Sequence, residues 1–398
     1  MTVRADAPVR PTGVGDDVTA DLSADGVAIT TLAVRDFRNI ARLDLALPAR
    51  GVAIVGSNGH GKTNLLEAIH YLHALRSVRG ARDVDLVRFG AEAFHVAATV
   101  RSAAVDDMRV GFGKSARRKK VVLDGAECER LADALGAVPS VMFSPQDVAL
   151  VSGAPTERRR YLDITLATTS RRYLAALQKY RAALVRRNAS LREAARRGAD
   201  PSRVAVWEPA LAEAGATLWC ERRRWTRWAA PRFSELVAAI GERQQVTIDY
   251  HSALAPTDTV APDESVVRAQ LSAALERDRP HDLRRLMTHS GPHRDDLLIT
   301  LGGRSMRTFG SAGQQRTSAI ALRLLERETL RDRTGRSPVV LLDDPFAELD
   351  GDRARSILRV LAGGAMGQTI LVVPRANDVP GEYTALERHH MVDGVLDA

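Results

Sequence analysis

The chain contains little of what extracellular or membrane proteins are built from. It has two cysteines among 398 residues, Cys128 and Cys220, and no CxxC or other metal-ligand spacing. This scarcity favours a reduced compartment and excludes a disulfide framework. No run of 18 apolar residues is present, and the start lacks a basic region followed by an apolar core. The sequence therefore predicts a cytoplasmic protein without a membrane partner.

Aromatic residues are also few, at 5% of the chain, which argues against base stacking as the main binding device. Positive charge is plentiful by contrast, with a net charge of +8. Residues 151–232 hold 18 Lys and Arg against 7 Asp and Glu, a net of +11. Such a block indicates a polyanionic partner. A solvated helical surface is the alternative that charge alone leaves open.

The stretch 56–63 matches the phosphate-binding pattern G-x-x-x-x-G-K-[ST]. A short apolar strand at 52–55 precedes it and a helical apolar pattern at 64–72 follows, which is the context that the motif requires. Lys62 would reach the β- and γ-phosphates, and Thr63 would ligate Mg²⁺. A glycine-rich turn that binds nothing is the alternative. The predicted nucleotide-binding residues are Gly56, Ser57, Asn58, Gly59, His60, Gly61, Lys62 and Thr63.

A second apolar strand, at 339–342, ends in two acidic residues. Asp343 is expected to hold the Mg²⁺ that bridges the β- and γ-phosphates. Asp344 is placed to orient or activate the attacking water. Alone this pattern is a weak indication, but together with the phosphate loop it predicts a nucleoside triphosphate with Mg²⁺.

The stretch 311–315, S-A-G-Q-Q, precedes a helix predicted from about residue 316 to 334 and offers a second anion site. Its local alternative is an ordinary helix N-cap, formed by Ser311 or Ser318. The order of phosphate loop, S-x-G-Q stretch, acidic strand end and E-L-D at 348–350 resembles that of the ABC-type ATPases. In that superfamily the signature stretch of one subunit closes the ATP site of another. The resemblance implies ATP as the cofactor, an ATP-dependent homodimer, and ATP contacts from Ser311, Gly313 and Gln314.

A long insertion that includes the basic segment separates the phosphate loop from the signature. This layout is similar to the SMC-like group that acts on DNA rather than to transporter ATPases. Further stretches resemble the RecF family of recombination mediators, from about residue 28 to 375. They are D-F-R-N at 36–39, R-D with L-V-R-F-G at 82–90, F-S-P-Q-D at 143–147, R-R-R-Y-L-D at 158–163, and G-P-H-R-D-D at 291–296, the most specific of them.

The resemblance implies an α/β fold: an ABC-type P-loop ATPase head with a mixed sheet core and helices, plus an inserted α-helical arm domain. The expected boundaries are a disordered tail at 1–27, the first part of the head at 28–150, the arm at 151–245 and the second part of the head at 246–398. By position, Gln146 is expected to sense the γ-phosphate and Arg38 to contact the base. The roles of Asp295 and Asp296 stay open. Val372, Val373 and Pro374 stand where many such ATPases carry a switch histidine, which implies slow hydrolysis.

The resemblance further implies binding to single-stranded DNA and to single-strand/duplex junctions and gaps, and weak ATPase activity used as a switch. It implies work with RecO and RecR in loading the recombinase RecA at gaps, and support of SOS induction. An ABC transporter subunit and a nucleotide sensor that binds only proteins are the alternatives. For any single arginine of the basic segment 151–232, the alternative is a solvated surface charge that contacts no DNA. The candidate DNA contacts are Arg117, Arg118, Lys119, Lys120, Arg222, Arg223 and Arg224.

Overall fold

The structure is a computed structural model that describes residues 26–197, 202–254, 263–346, 351–362 and 367–397. The predicted tail up to residue 25 and the E-L-D stretch at 348–350 therefore lie outside the described residues. The folded part begins two residues earlier than expected. Gly26 forms a β-bridge with Ser337, and the buried Val27 donates its backbone N–H to the Ser337 carbonyl at 3.1 Å. The tail boundary at residue 27 is wrong by these two residues.

The described residues form fifteen strands and twelve α-helices. The strands are β1 Ala28–Phe37, β2 Ile40–Ala46, β3 Gly51–Val55, β4 Ala93–Arg101, β5 Asp107–Gly113, β6 Arg118–Leu123, β7 Ala126–Glu127, β8 Ser140–Phe143, β9 Val246–His251, β10 Asp296–Leu301, β11 Arg304–Ser305, β12 Val339–Asp343, β13 Thr369–Val373, β14 Glu387–Val392 and β15 Val395–Asp397. The helices are α1 Lys62–Ala74, α2 Asp83–Leu86, α3 Leu131–Ala134, α4 Ala149–Ser152, α5 Pro155–Ala167, α6 Arg171–Arg197, α7 Ser202–Ala205, α8 Glu208–Ala239, α9 Glu264–Arg285, α10 Met306–Phe309, α11 Ala312–Thr334 and α12 Gly351–Ala362.

The central sheet has the strand order β15-β14-β3-β13-β12-β8. Its five strands from β14 to β8 are parallel, and β15 is an antiparallel edge, so the sheet is mixed as expected. A second sheet, β2-β1-β4-β5-β6-β7, is antiparallel. Because β3, β12 and β13 are fully buried, both faces of the central sheet must be covered, which is typical of parallel strands.

Two hydrophobic cores cover these faces. Val52 and Ile54 of β3 point to one side, where α1 packs between the central sheet and the antiparallel sheet. Ala53 and Val55 point to the other side, where the helices α5, α6, α8, α9, α11 and α12 pack. This alternation follows from the period of two residues in a strand. The helices of the predicted arm therefore share a core with the central sheet.

Helices α6 and α8 form an antiparallel hairpin within the predicted arm. Arg187 on α6 pairs with Glu208 on α8, and Tyr173 on α6 contacts Arg222 near the middle of α8. Between them, a Cβ on Gly215 would lie 3.1 Å from the Tyr180 ring and 2.5 Å from a methyl carbon of α9. A glycine at this position lets three helices approach closely. Among the described helices, none is both long and apolar enough to cross a membrane.

Candidate functional site

The phosphate loop joins β3 to α1, as its sequence context predicted. Gly61 is the N-cap of α1 and has φ 101°, a conformation that side-chain-bearing residues rarely adopt. A Cβ on Gly61 would also lie 2.6 Å from the side chain of Asn39. Glycine is therefore required here both for the backbone turn and for the close approach of the neighbouring segment.

Lys62 points back over the loop. Its Nζ donates to the carbonyls of Gly56 at 2.5 Å and Ser57 at 2.9 Å, and the residue is only 7% exposed. Burial lowers the pKa of Lys62, while the charges of Asp343 and Asp344 act in the opposite direction. The ammonium is thus held in the loop, facing two carboxylates that lie far away in sequence.

Thr63 and Asp343 meet, although 280 positions separate them in sequence. The Thr63 hydroxyl donates to Oδ1 of Asp343 at 2.9 Å. The end of β12 brings the carboxylate there, since β12 and β3 lie on either side of β13 in the same parallel sheet. Burial raises the pKa of Asp343, against the opposing effect of this hydrogen bond. A hydroxyl and a carboxylate side by side are the hard oxygen ligands that Mg²⁺ prefers.

A cleft of about 690 Å³ opens over this pair, a volume in the range of small-molecule sites. The predicted site residues that line it are Asn58, Gly59, Gly61, Lys62, Thr63, Gln146, Asp343 and Asp344. Pro374 lines the same cleft at the position where a switch histidine was expected and not found. The structure thus gathers most of the predicted nucleotide-binding and catalytic residues around one space.

Three cleft-lining arginines were missed by sequence reasoning: Arg79, Arg160 and Arg323. Arg79 follows α1, and its charge acts to lower the pKa of Asp343 against the larger effect of burial, which raises it. Arg160 on α5 donates to the carbonyls of Ser77 at 2.5 Å and Val78 at 3.1 Å, which fixes the segment that carries Arg79. The basic character of residues 76–82 was the available signal for Arg79. Arg160 reaches the cleft only through folding, so no local pattern predicts it.

Arg38 does not line the cleft. Its guanidinium makes two hydrogen bonds to the buried Glu67 of α1, at 3.0 and 3.2 Å, and its backbone has φ 56°. Glu67 also accepts a hydrogen bond from Ser77 at 2.5 Å. Arg38 therefore fastens the β1–β2 turn to the helix behind the phosphate loop, and its expected contact with the base stays a prediction.

The signature stretch lies at the N-terminus of α11. Ser311 is the N-cap: its hydroxyl accepts from the Gln314 N–H at 3.3 Å, and the Gln314 side chain accepts from the Ser311 N–H at 2.9 Å. This is the capping box that the local alternative described. Among the described residues that line the cleft of the same chain, none belongs to 311–315.

The side chains of the stretch 291–296 connect the helices to the head. Arg158 makes two hydrogen bonds of 2.8 Å to Asp296, and the Tyr180 hydroxyl lies 2.6 Å from Nδ1 of His293. Asp295 accepts from the Tyr250 hydroxyl. These contacts join α5, α6 and β9 to the start of β10. Asp295 and Asp296, whose role the sequence left open, thus make structural contacts between these elements.

Two predicted DNA contacts are wrong. Arg222 is 2% exposed and donates to Asp163, Tyr173 and the Pro292 carbonyl. Lys119 bonds to the Leu75 carbonyl and to Asp83 and lies over the Tyr71 ring. Both errors have one cause, because neighbouring residues in a strand or helix face different directions. A contiguous run of basic residues cannot present all of its charges to the same partner.

The other predicted DNA contacts are at least partly accessible. Arg117, Arg118 and Lys120 are exposed around the β5–β6 turn, and the latter two lie near Glu127 at 3.4 and 3.3 Å. Arg224 is exposed on α8, whereas Arg223 is half-buried over the Trp219 ring. Two separate basic patches remain, one on the antiparallel sheet and one on the helices.

The chain is similar to known proteins over most of its length. The family model described as the RecF/RecN/SMC N terminal domain matches residues 28–381. The DNA replication and repair protein RecF of Roseiflexus castenholzii is 36% identical over 391 residues, covering 92% of this chain and 98% of the relative. The protein of the same name from Anaeromyxobacter sp. strain K is 39% identical over 340 residues, covering 84% and 89%.

Solved structures agree as well. The recombination mediator protein RecF of the RecFOR pathway, in a structure named RecF-ATP, superposes with a TM-score of 0.85 at 30% identity, covering 96% of this chain and 99% of the other. The Smc head domain of Pyrococcus furiosus superposes with a TM-score of 0.52 at 17% identity, covering 93% and 95%, and shows the fold alone. The fold is that of an ABC-type ATPase head, and the chain belongs to the RecF family of DNA replication and repair proteins.

Proposed function

We propose that this chain is an ATP-dependent DNA-binding protein of recombinational repair that dimerises on binding ATP and releases DNA after slow hydrolysis. The observation that carries the proposal is the 2.9 Å hydrogen bond between Thr63 and Asp343 inside the cleft. It brings the phosphate loop and the acidic strand end together, as a Mg²⁺-triphosphate requires. The relatives of known structure include one named RecF-ATP, which supports ATP as the nucleotide.

The cleft residues divide the work on ATP. The amides at the start of α1 and Lys62 bind the phosphates, while Thr63 and Asp343 hold Mg²⁺, which supplies charge neutralisation when bound. Asp344 and Gln146 both line the cleft. Asp344 orients the attacking water, and Gln146 senses the γ-phosphate. Pro374 has no group that could stabilise developing charge, which is consistent with hydrolysis that is slow and serves as a switch.

The position of the signature supports the proposed dimer. Residues 311–315 are outside the cleft of their own chain, yet they present a helix N-terminus of a 23-residue helix. A second copy placed head to tail would bring this N-terminus to the phosphates of the first. Gly313 has no side chain to obstruct the approach. Ser311 and Gln314 would then exchange part of their capping bonds for bonds to ATP.

DNA binding is assigned to the two exposed basic patches, around Arg117, Arg118 and Lys120 and around Arg224. Contacts of this kind bind phosphates without regard to sequence, which suits gaps and junctions. The pathway named for the solved relatives supports RecO and RecR as partners, and through them the loading of RecA and SOS induction.

The first test measures nucleotide binding and dimerisation. Lys62→Ala should abolish ATP binding, because Lys62 supplies the charge for the β- and γ-phosphates. The exposed Lys179 on α6 provides the matched control, since Lys179→Ala removes the same charge outside the cleft. Retention of full ATP affinity by Lys62→Ala would refute the cleft as the site.

Sedimentation with and without ATP tests the dimer. Ser311→Arg should bind ATP as a monomer and fail to dimerise, because the longer, charged side chain blocks the approach of the partner copy. Ser272→Arg, on the exposed face of α9, controls for the added charge. If ATP still drove dimerisation of Ser311→Arg unchanged, the signature would not lie in the dimer interface.

DNA binding separates this function from a nucleotide sensor that binds only proteins. Filter binding to gapped DNA should show higher affinity with ATP and a steep loss of affinity with added salt. A combined Arg117→Gln, Arg118→Gln, Lys120→Gln variant should lower the salt slope by about one per lost phosphate contact. Affinity that neither rises with ATP nor falls with salt would refute DNA binding.

A further inference from the structure

The C-terminal hairpin of β14 and β15 holds the phosphate loop from outside the cleft. Its turn contacts one residue of the loop through two backbone N–H groups. Asp393 donates to Nδ1 of His60 at 3.0 Å, and Gly394 donates to the His60 carbonyl at 2.9 Å. The hairpin lies after residue 381, where the match to the family model ends.

The hydrogen bond to the ring defines the role of His60. The Asp393 backbone N–H is directed at Nδ1, and Oδ1 of the Asp393 side chain lies 3.1 Å from the same nitrogen, so the ring is held by this one residue of the turn. His60 is not among the described residues that line the cleft. Its side chain thus serves the hairpin, while its backbone belongs to the loop that would bind phosphate.

The hairpin and the β1–β2 turn enclose the loop between them. A Cβ on Gly394, which has φ 83°, would lie 2.7 Å from the Asn39 carbonyl. A Cβ on Gly56, at the start of the loop, would lie 2.4 Å from the Met391 carbonyl of β14. The Asn39 side chain in turn accepts from Asn64 at 2.8 Å, at the first turn of α1. Contacts of backbone against backbone on this scale leave little room for the loop to move.

We propose that the β14–β15 hairpin is a clasp that holds the phosphate loop in its phosphate-binding shape, with His60 as the positioning residue. The proposal rests on the ATP site described under Proposed function. The physical reason is preorganisation: a loop whose amides are already aligned loses less conformational entropy when the phosphates bind. Substitutions in the clasp should therefore weaken ATP binding without touching any residue expected to contact ATP through its side chain.

The test measures the affinity of the full chain for a fluorescent ATP analogue with Mg²⁺, together with the Tm of each variant without nucleotide. His60→Ala removes the acceptor and should raise Kd about fivefold, the factor equivalent to one net hydrogen bond. His60→Asn should restore binding, because its Oδ1 occupies the position of the histidine Nδ1. Gly394→Ala changes the hairpin instead of the loop: its Cβ would push the turn away from the Asn39 carbonyl, and Kd should rise by a similar factor.

His390→Ala is the matched control, since His390 is exposed on the same hairpin and should bind as the wild type does. Wild-type affinity in both His60→Ala and Gly394→Ala would overturn the clasp, as would equal weakening in His60→Asn and His60→Ala. A fall in Tm with unchanged affinity would show that the hairpin only stabilises the fold and would also overturn the proposal. Failure of the wild-type chain itself to bind the analogue would instead refute the ATP site.

Discussion

Replacing Arg222 by methionine should destabilise the fold rather than act first on DNA binding. The guanidinium donates to Asp163 at 2.8 Å, to the Tyr173 hydroxyl at 2.9 Å and to the Pro292 carbonyl at 2.7 Å. Methionine keeps most of the apolar stem but removes all of these donors. Among the described residues, Asp163, itself 7% exposed, then keeps the exposed Arg181 as its ionic partner.

Removing one partner of a buried ion pair costs about 3 to 5 kcal/mol. The remaining ion pair with Arg181 places the expected loss at the lower end, about 3 kcal/mol. The entropy of unfolding near Tm is about 2.1 cal/mol/K per residue, which for 398 residues is roughly 0.84 kcal/mol/K. The loss therefore corresponds to a fall in Tm of roughly 4 °C.

The assay compares thermal and denaturant unfolding of Arg222→Met with that of Arg224→Met. Arg224 is two residues away and exposed, and its partner Glu221, although buried, keeps Arg333 at 3.9 Å, so the loss should be no more than about 1 kcal/mol. Arg224→Met should instead weaken binding to gapped DNA. An unchanged Tm for Arg222→Met, with a loss of DNA affinity like that of Arg224→Met, would refute the buried network.

The same variant has a defined pH dependence. Burial raises the pKa of Asp163, but Arg222 and the other donors outweigh burial, so the folded-state pKa lies below the ordinary value. Asp163 thus contributes stability above its unfolded pKa of about 3.9, and this stability is lost as the pH falls through the folded pKa. Without Arg222 the carboxylate is easier to protonate. The difference in stability between wild type and Arg222→Met should shrink as the pH falls towards about 4, and a constant difference would contradict the assignment.

Three further predictions concern α1 and its loop. Thr63→Ala should weaken Mg²⁺-dependent ATP binding about tenfold or more, while Thr63→Ser keeps the hydroxyl next to Asp343 and should bind normally in the same titration. Gly61→Ala should cost about 1 to 2 kcal/mol in denaturant unfolding, since alanine is strained at this positive φ and its Cβ would strike Asn39. Burial, with the charge of Arg336, lowers the pKa of His73 to about 3, so its contribution to stability is present above about pH 6.5 and lost as the pH falls from there. His73→Leu should flatten the measured stability-versus-pH slope between about pH 6.5 and 4 by up to about 1.4 kcal/mol per pH unit, and an unchanged slope would contradict the burial of a neutral ring.

The parts of the fold that the sequence predicts well are those set by contiguous patterns. The apolar strands of the central sheet and the helix after the phosphate loop lie where periodicity placed them. Helix α9 is less predictable from the sequence, since it continues through Pro280 to Arg285. Pro280 lies on the exposed face of α9, where its ring costs one hydrogen bond but displaces no packed side chain. Packing against α8 outweighs that local cost.

The site was predictable to the extent that its residues are carried by motifs. The phosphate loop and Asp343 could be paired because the carboxyl ends of parallel strands meet at one edge of a sheet. Arg160 and the His60–Asp393 contact could not be predicted, because each depends on segments that only the tertiary fold brings together. Charge clusters gave the least reliable predictions, since burial separates Arg222 from Arg224 within one turn of helix.

A single helix connects the two halves of the proposed composite site. α11 begins at the signature and, about three turns later, presents Arg323, which pairs with Asp147 at 2.6 Å. Asp147 follows Gln146 directly and also accepts from the Ser144 N–H at 2.8 Å, which fixes the turn that carries Gln146. Both members of this ion pair are nearly buried, so breaking it would cost about 3 to 5 kcal/mol. A displacement of the turn around Gln146 must therefore carry α11 with it, because separating them costs more than the few kcal/mol with which most ligands couple two sites. In the proposed dimer, the Arg323–Asp147 pair would couple the γ-phosphate in one cleft to the signature that meets the partner copy.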